Sequence, residues 1–565
     1  VKFSEYPYER PDFSAYKEKA EAAITQLAAA AAPAEAIAAV ETMTELISYQ
    51  DTQNQIAQIR YTINTKDPFY EAEDEYWNEY NPLYTDIHTK YYRALLGSPY
   101  RSQLETVLPK LYFQMAQYQL QAFDPSVIEL LQKENELSSN YQKLVASAKI
   151  AFDGKELNLS QLGPYQQDTN RETRKAASEA YYSFFAEQEA TFDDIYDRLV
   201  KTRDEIAKKL GYKDFVALGY VRMMRFDYDR EMVKTYREQV LKDVVPVANK
   251  LYERQAKRIG VAALQYYDLN LNFLDGNATP KGDAAYIVAM GKKMYHELSP
   301  ETGEFIDYMD NNGLLDLETK EGKASGGYCT YIPGQRSPFI FANFNGTSGD
   351  VDVLTHEAGH AFQVYQSRWI KQPELVFPTY ESCEIHSMSM EFFTYPWMEL
   401  FFKEETEKYK YAHIGGALQF LPYGVLVDHF QHEVYEHPEM TPAKRKATWR
   451  RLEKMYNPHK DYSENAFLDQ GTLWFRQGHI FESPFYYIDY TLAQVCAFQF
   501  WKRALVDHDD KAWSDYLKIC KVGGTQSFLE IVRTANLQSP YEEGSLSAVI
   551  AAIDEFLSQV DDEKL

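Results

Sequence analysis

The sequence predicts a mostly α-helical protein that carries one small β-sheet. Two observations lead to this: runs with apolar residues at three- and four-residue spacing fill most of the chain, and strand-like stretches cluster in a single place. A third sets the scale, because 565 residues with 45% hydrophobic and 15% aromatic side chains are enough to bury a large core.

In chain order, AEAAITQLAAAAAPAEAIAAVETMTELISY reads as two helices broken near Pro33, its alanines suited to close helix packing. DPSVIELLQKENELSSNYQKLVASAKIAF reads as a long amphipathic helix. The pattern continues through DTNRETRKAASEAYYSFFAEQEATFDDIYDRLVKTRDEIAKKLGY, where Gly211 is a helix stop. After ETKEGKASGG comes YCTYIPGQRSPFIFANFNGTSGD, and Phe339 to Phe344, between Pro338 and Asn345-Gly346, has the composition of a strand. From Asp350 onward the patterns are helical again, ending in SLSAVIAAIDEFLSQV. Internal repeats and flexible linkers are absent. The chain divides softly into residues 1–190 and 191–565, read as one continuous fold.

Composition excludes several function classes. A net charge of -25 lacks the basic surface that displaces counterions from phosphates, so nucleic acid is not expected as a partner. No stretch approaches a membrane span, and VKFSEYPYERPDFSAYKEKA has no apolar signal region. Cys329, Cys383, Cys496 and Cys520 are widely spaced, without a C-x-x-C pair. A soluble protein of the reducing cytoplasm is expected.

The chemistry gathers around THEAGHAF, residues 355–362. Placed on a helix, Val351, Leu354, Ala358, Ala361, Phe362, Tyr365 and Trp369 share one face, with Ser348 or Asp350 as N-cap. His356 and His360 fall roughly opposite, one turn apart, where their imidazoles converge. Surface histidines are the bland reading, yet His-Glu-x-x-His arises by chance only on the order of 0.02 times in such a chain. A catalytic zinc site wants a third protein ligand. TYESCEIHSMSMEFFTYPW, reached through the turn-like KQPELVFPT, supplies Glu384 and Glu391 two turns apart on one helix face. One would bind metal while the other orients a histidine. Their neighbours Ile385, Met388, Met390, Phe392 and Phe393 indicate burial, and buried carboxylates need partners.

His356-Glu357-x-x-His360, followed 24 residues later by Glu384 within ESCEIHSMSME, resembles the thimet oligopeptidase family of zinc metallopeptidases, most closely its bacterial oligoendopeptidase F and Pz-peptidase-like branch. The similarity runs across roughly the C-terminal two-thirds of the chain, through SGGYC, FANFNG and RQGHIFESPFYYIDY. It implies a helical, clam-like fold whose deep central channel buries one Zn2+ per chain beside the small sheet and admits short unstructured peptides. Residues 1–190 would form part of the channel wall and 191–565 the catalytic region. It also implies His356, His360 and Glu384 as ligands. A histidine on a Gly-flanked loop, matched by His479, and tyrosines at the scissile carbonyl, matched by Tyr487 and Tyr490, are implied as well; the choice between Tyr486 and Tyr487 stays open.

In this reading, zinc acidifies a water that attacks the peptide bond, and Glu357 is the general base that takes its proton. Ser483 as N-cap and Pro484 as first helical residue would start the helix bearing the tyrosines, whose neutral phenols are donors for an oxyanion. Phe339, Phe341, Ala342 and Asn343 would offer an exposed strand edge to an extended peptide, with Tyr486 also at the substrate. Gly326 and Gly327 would let its backbone approach closely. Glu391 is the preferred partner for the second nitrogen of His356, and Asp352, one turn before that histidine, is a further one. The function expected is a zinc endopeptidase for oligopeptides. The alternatives are an end-trimming zinc peptidase and a catalytically silent peptide-binding protein of the same fold. Oligomeric state is not legible.

Overall fold

The computed structural model describes residues 1–565, and helices follow one another from Phe13 to Ser558. Pro33 opens the helix Pro33–Ile63 after the helix Phe13–Ala28 has closed, and at a first turn the missing proline N–H would have no intrahelical partner in any case. Asp67 caps Pro68–Leu96, its carboxylate accepting the Phe69 N–H at 2.9 Å. Together with Lys110–Gln121 these helices bury a cluster of 28 residues that extends to Tyr331, Val364, Ile370, Leu375 and Val376 of the later chain. The main core of 108 residues takes four side chains before Phe123, namely Phe3, Tyr6, Ile56 and Ile59, and otherwise runs from Phe123 to Leu557. The change of core thus falls near residue 120, upstream of the soft division expected near 190. Gly211, at φ +87°, closes the helix Glu189–Lys209 in the left-handed geometry that glycine adopts without strain.

Two small sheets interrupt the helices. A hairpin of β1 (Ile150–Phe152) and β2 (Lys155–Leu157) turns at Asp153-Gly154, both with positive φ. The second sheet contains β3 (Leu315–Glu318), β4 (Tyr328–Ile332) and β5 (Ser337–Phe344), in the order β3-β5-β4. β5 pairs parallel with β3 and antiparallel with β4. The expected strand is therefore present but central. Both of its edges are already hydrogen-bonded, and Phe339, Phe341 and Ala342 are buried, so it has no free edge for a peptide. The unpaired edges belong to β3 and β4, and it is β4 that lines the main cavity, through Tyr328 and Cys329.

β5 leads directly into the helix Gly349–Gln366, called here the motif helix. The Asp350 carboxylate accepts the backbone N–H groups of Asn345 at 2.9 Å and Gly346 at 2.8 Å, pinning the turn between strand and helix. Ser348 stands at the N-cap but makes no side-chain cap bond. Val351, Leu354, Ala358, Ala361 and Phe362 are buried as the helical wheel predicts. Trp369 is not part of that face: the helix closes at Ser367, and Trp369 lies 59% exposed with its indole N–H donating to the Lys521 carbonyl at 2.8 Å.

Candidate metal centre

The second helix of the site, Tyr380–Phe393, crosses the motif helix at Gly359. A Cβ at that glycine would stand 2.6 Å from the His386 carbonyl oxygen and 2.7 Å from the Ser387 Cα, so the two backbones are in contact. That approach brings Glu384 onto the histidines. Its Oε2 lies 3.1 Å from His356 Nε2 and its Oε1 3.2 Å from His360 Nε2. The three ligand atoms all fall within 4.8 Å of one another. Ser387 and Tyr486 each donate a hydroxyl to Glu384 at 2.7 Å, which holds the carboxylate in place. Burial alone would raise the pKa of Glu384, but the two facing imidazoles outweigh it and hold the group well below the usual carboxylate range.

These residues suit a zinc ion. Two imidazole nitrogens and one carboxylate converge on a single point, the donor set of a catalytic site with an open position. Glu357 gives an independent test. Its Oε2 is buried without a hydrogen-bond partner, and burial raises its pKa. A carboxylate left so is costly unless a cation and a polar ligand complete its surroundings. Gly327 keeps the space above it clear, since even a Cβ there would come within 3.5 Å of Glu357 Oε1.

Behind the histidines runs a hydrogen-bonded chain. His356 Nδ1 donates to Glu391 Oε2 at 2.9 Å, leaving Nε2 to face the ligand cluster, and Glu391 Oε1 lies 2.9 Å from His413 Nε2. Asp352 does not reach His356. Its Oδ1 accepts the Tyr409 hydroxyl at 2.5 Å and lies 3.9 Å from His413 Nε2, so it meets the chain at His413 and makes no hydrogen bond to His356. His413 and Tyr409 escaped the sequence reading because they stand on a separate helix, Thr406–Glu436, with no motif to connect them to Glu391.

The tyrosine segment folds differently from expectation. His479 sits in a short helix, Gly478–Glu482, not on an open loop, and Ser483 closes that helix instead of opening the next. Phe485, fully buried with φ 71°, makes the turn, and the following helix, Ile488–Trp501, starts after Tyr487. This strained turn decides which phenols face the metal site. Tyr486 and Tyr490, with rings stacked 5.1 Å apart, line a cavity of about 640 Å³ with His356, Glu357, His360, Glu384 and His479. Tyr487 instead lines a neighbouring cavity of about 350 Å³ with Asp352, Glu391 and His413. His479 Nε2 is 2.9 Å from the Tyr490 hydroxyl. Burial pushes the His479 pKa down to about 4 and raises the phenols of Tyr486 and Tyr490, so imidazole and phenols are neutral near pH 7.

Of the residues expected at the substrate, Gly327 and Tyr486 line the main cavity, joined by Tyr328 and Cys329 from β4. Phe341 instead stacks beneath Tyr328 at 4.6 Å, and Asn343 braces the turn by donating its amide to the carbonyls of Ala324 and Gly326. Gly326, at φ +86°, supplies the turn conformation. The wall opposite the ligands comes from the N-terminal helices, including Ile47, Gln50 and Tyr92.

A helical chain that encloses a His-Glu-x-x-His helix and a distant glutamate within a cleft has the architecture of a zincin-type metallopeptidase. The profile described as Peptidase family M3 matches residues 164–549, and the one described as Peptidase M3 N-terminal domain matches residues 3–123. The chain belongs to peptidase family M3. Its fold superposes on the solved structure of Pz peptidase A with an inhibitor, at a TM-score of 0.99 and 54% identity, covering 100% of both chains. Among curated proteins it is 24% identical over 247 residues to oligopeptidase PepF of Bacillus subtilis (strain 168), covering 41% of this chain and 35% of that one. It is 22% identical over 206 residues to the chromosomal oligoendopeptidase F of Lactococcus lactis subsp. cremoris, covering 36% and 33%. These alignments span about a third of the length of the curated relatives. No helix is long and apolar enough to cross a membrane.

Proposed function

We propose that this chain is a zinc-dependent endopeptidase that hydrolyses internal bonds of short, unstructured peptides, with one zinc ion held by His356, His360 and Glu384. The observation that carries the reading is Glu357: an unpartnered, buried carboxylate in the same cavity as the three ligands. Bound zinc would supply Lewis acidity, making water a better acid and a peptide carbonyl a better electrophile.

The remaining work falls to the chain. Glu357, its proton affinity raised by burial, takes a proton from the attacking water and passes it to the departing amine. Tyr490, with His479 behind it, donates to the oxygen on which negative charge develops. Tyr486 holds Glu384 and forms the cavity wall beside Tyr490. Glu391 keeps His356 turned with Nε2 toward the metal. An extended peptide would pair with the free edge of β4 at Gly327 to Cys329, where backbone bonds give affinity with little demand on side chains. The N-terminal region closes the opposite wall, so a cavity of about 640 Å³ would favour narrow, unfolded substrates over folded ones.

The test is hydrolysis of an internally quenched peptide by the wild-type chain and by Glu357→Gln. Activity should vanish with a chelator and return with zinc, and mass spectrometry should find internal cleavage. Glu357→Gln should keep its zinc while turnover falls by about a thousandfold or more. A variant that cleaves at a near wild-type rate would sink the assignment of the base.

A further inference from the structure

His479 and Tyr490 are the end of a longer chain of hydrogen bonds, and its direction has a consequence for the phenol. Gln477 Nε2 lies 3.0 Å from His479 Nδ1, while Gln477 Oε1 lies 2.8 Å from the Tyr423 hydroxyl. A chain of this kind runs in either of two senses, with opposite tautomers of the histidine. The far end decides between them. There the Tyr423 hydroxyl donates to Gln477 Oε1, an oxygen that can only accept. That contact fixes which way the Gln477 amide faces, with its NH2 toward His479 Nδ1. The Gln477 amide must then donate to His479 Nδ1. That places the imidazole proton on Nε2, from which it is given to the Tyr490 oxygen. In the opposite sense the Tyr490 hydrogen would be spent on His479.

We propose that Tyr423 and Gln477 are positioning residues that lock His479 in its Nε2–H tautomer, so that Tyr490 keeps its own hydroxyl hydrogen for the oxygen of the peptide carbonyl. The proposal rests on the reading of Tyr490 as a donor to substrate. Neither positioning residue needs to touch the peptide.

The test compares Gln477→Glu with Gln477→Leu in the full-length zinc protein. Glu has nearly the shape of Gln but only accepts, so it keeps the Tyr423 hydrogen, draws the imidazole proton to Nδ1 and turns the His479–Tyr490 bond around. Leu removes the link without reversing it. The structure assigns the isosteric change the larger loss: kcat down about a hundredfold for Gln477→Glu, the scale of one lost oxyanion donor, and a smaller fall for Gln477→Leu, with KM nearly unchanged in both. A merely structural role gives the reverse order, and that order would overturn the proposal. Nitrogen-15 NMR of histidine-labelled protein, with His479 assigned by its loss in His479→Asn, reads the tautomer without any activity. The expected result is Nε2–H in wild type and Nδ1–H in Gln477→Glu. Finding Nδ1–H or a mixture in wild type would also overturn it. Absence of any chelator-sensitive cleavage by the wild-type chain overturns the functional reading itself, whatever the tautomer.

Discussion

Neighbouring phenols on one short segment meet different surroundings. Tyr486 donates to the Glu384 carboxylate, Tyr490 sits against His479, and Tyr487 turns toward Phe420 and Tyr423, at ring distances of 5.6 Å and 5.7 Å. The left-handed Phe485 just ahead of them sets this phase. We expect Tyr490→Phe to lower kcat by about a hundredfold, the scale of one lost oxyanion donor, and Tyr487→Phe to stay within about threefold of wild type. Steady-state kinetics on one peptide would decide it, and equal losses in both variants would remove Tyr490 from its assigned role. The motif residues were legible because their spacing is local: four positions on a helix are one turn whatever surrounds them. The tyrosine choice was not, because one residue of positive φ re-aims all that follows.

At the scale of elements, the site is a crossing of two helices. Gly359 is a poor helix residue, and Ala there would favour an isolated helix by about 1 kcal/mol. Its place in the motif follows from the contact, since a Cβ at 2.6 Å from the His386 carbonyl oxygen forces the helices apart. The clash should win. Gly359→Ala is expected to destabilise the protein by about 1 to 3 kcal/mol and to weaken zinc binding about tenfold or more, because Glu384 moves away from both histidines. Thermal unfolding with competitive zinc titration checks this, and a variant as stable and as tight as wild type would refute it. Strand composition located β5 correctly, yet whether a strand is edge or centre depends on its neighbours. β3 and β4 flank it on both sides and take the two outer edges, of which β4's lies at the cleft. The β1–β2 hairpin had an Asp153-Gly154 signal that the sequence reading passed over, beside the stronger aromatic strand.

Across the whole molecule, packing also governs stability. His459 stacks on Tyr252 with ring centroids 3.5 Å apart, its Nε2 buried without a partner, and burial pushes its pKa from 6.5 down to about 2. The unfolded chain therefore binds the proton that the folded one refuses, and this residue's contribution is lost as pH falls below 6.5. His459→Phe keeps a ring on Tyr252 without that loss. Its stability relative to wild type should rise by about 1 kcal/mol for each pH unit below 6.5, measured as urea midpoints at neutral pH and at two acidic values. Parallel curves would contradict it.

By itself the sequence determined a helical protein, a His356–Glu357–His360 turn with Glu384 as its distant partner, and the class of chemistry these support. Each depends on periodicity or side-chain type, which survive any arrangement of the rest. Tertiary structure alone decided that His413 stands behind Glu391, that Tyr409 and not His356 claims Asp352, that β4 and not β5 borders the cleft, and that the helices before residue 120 close its far wall. Those are meetings of residues far apart along the chain. Only the packing of the two cores brings them together, and no local pattern encodes a neighbour that arrives from another helix.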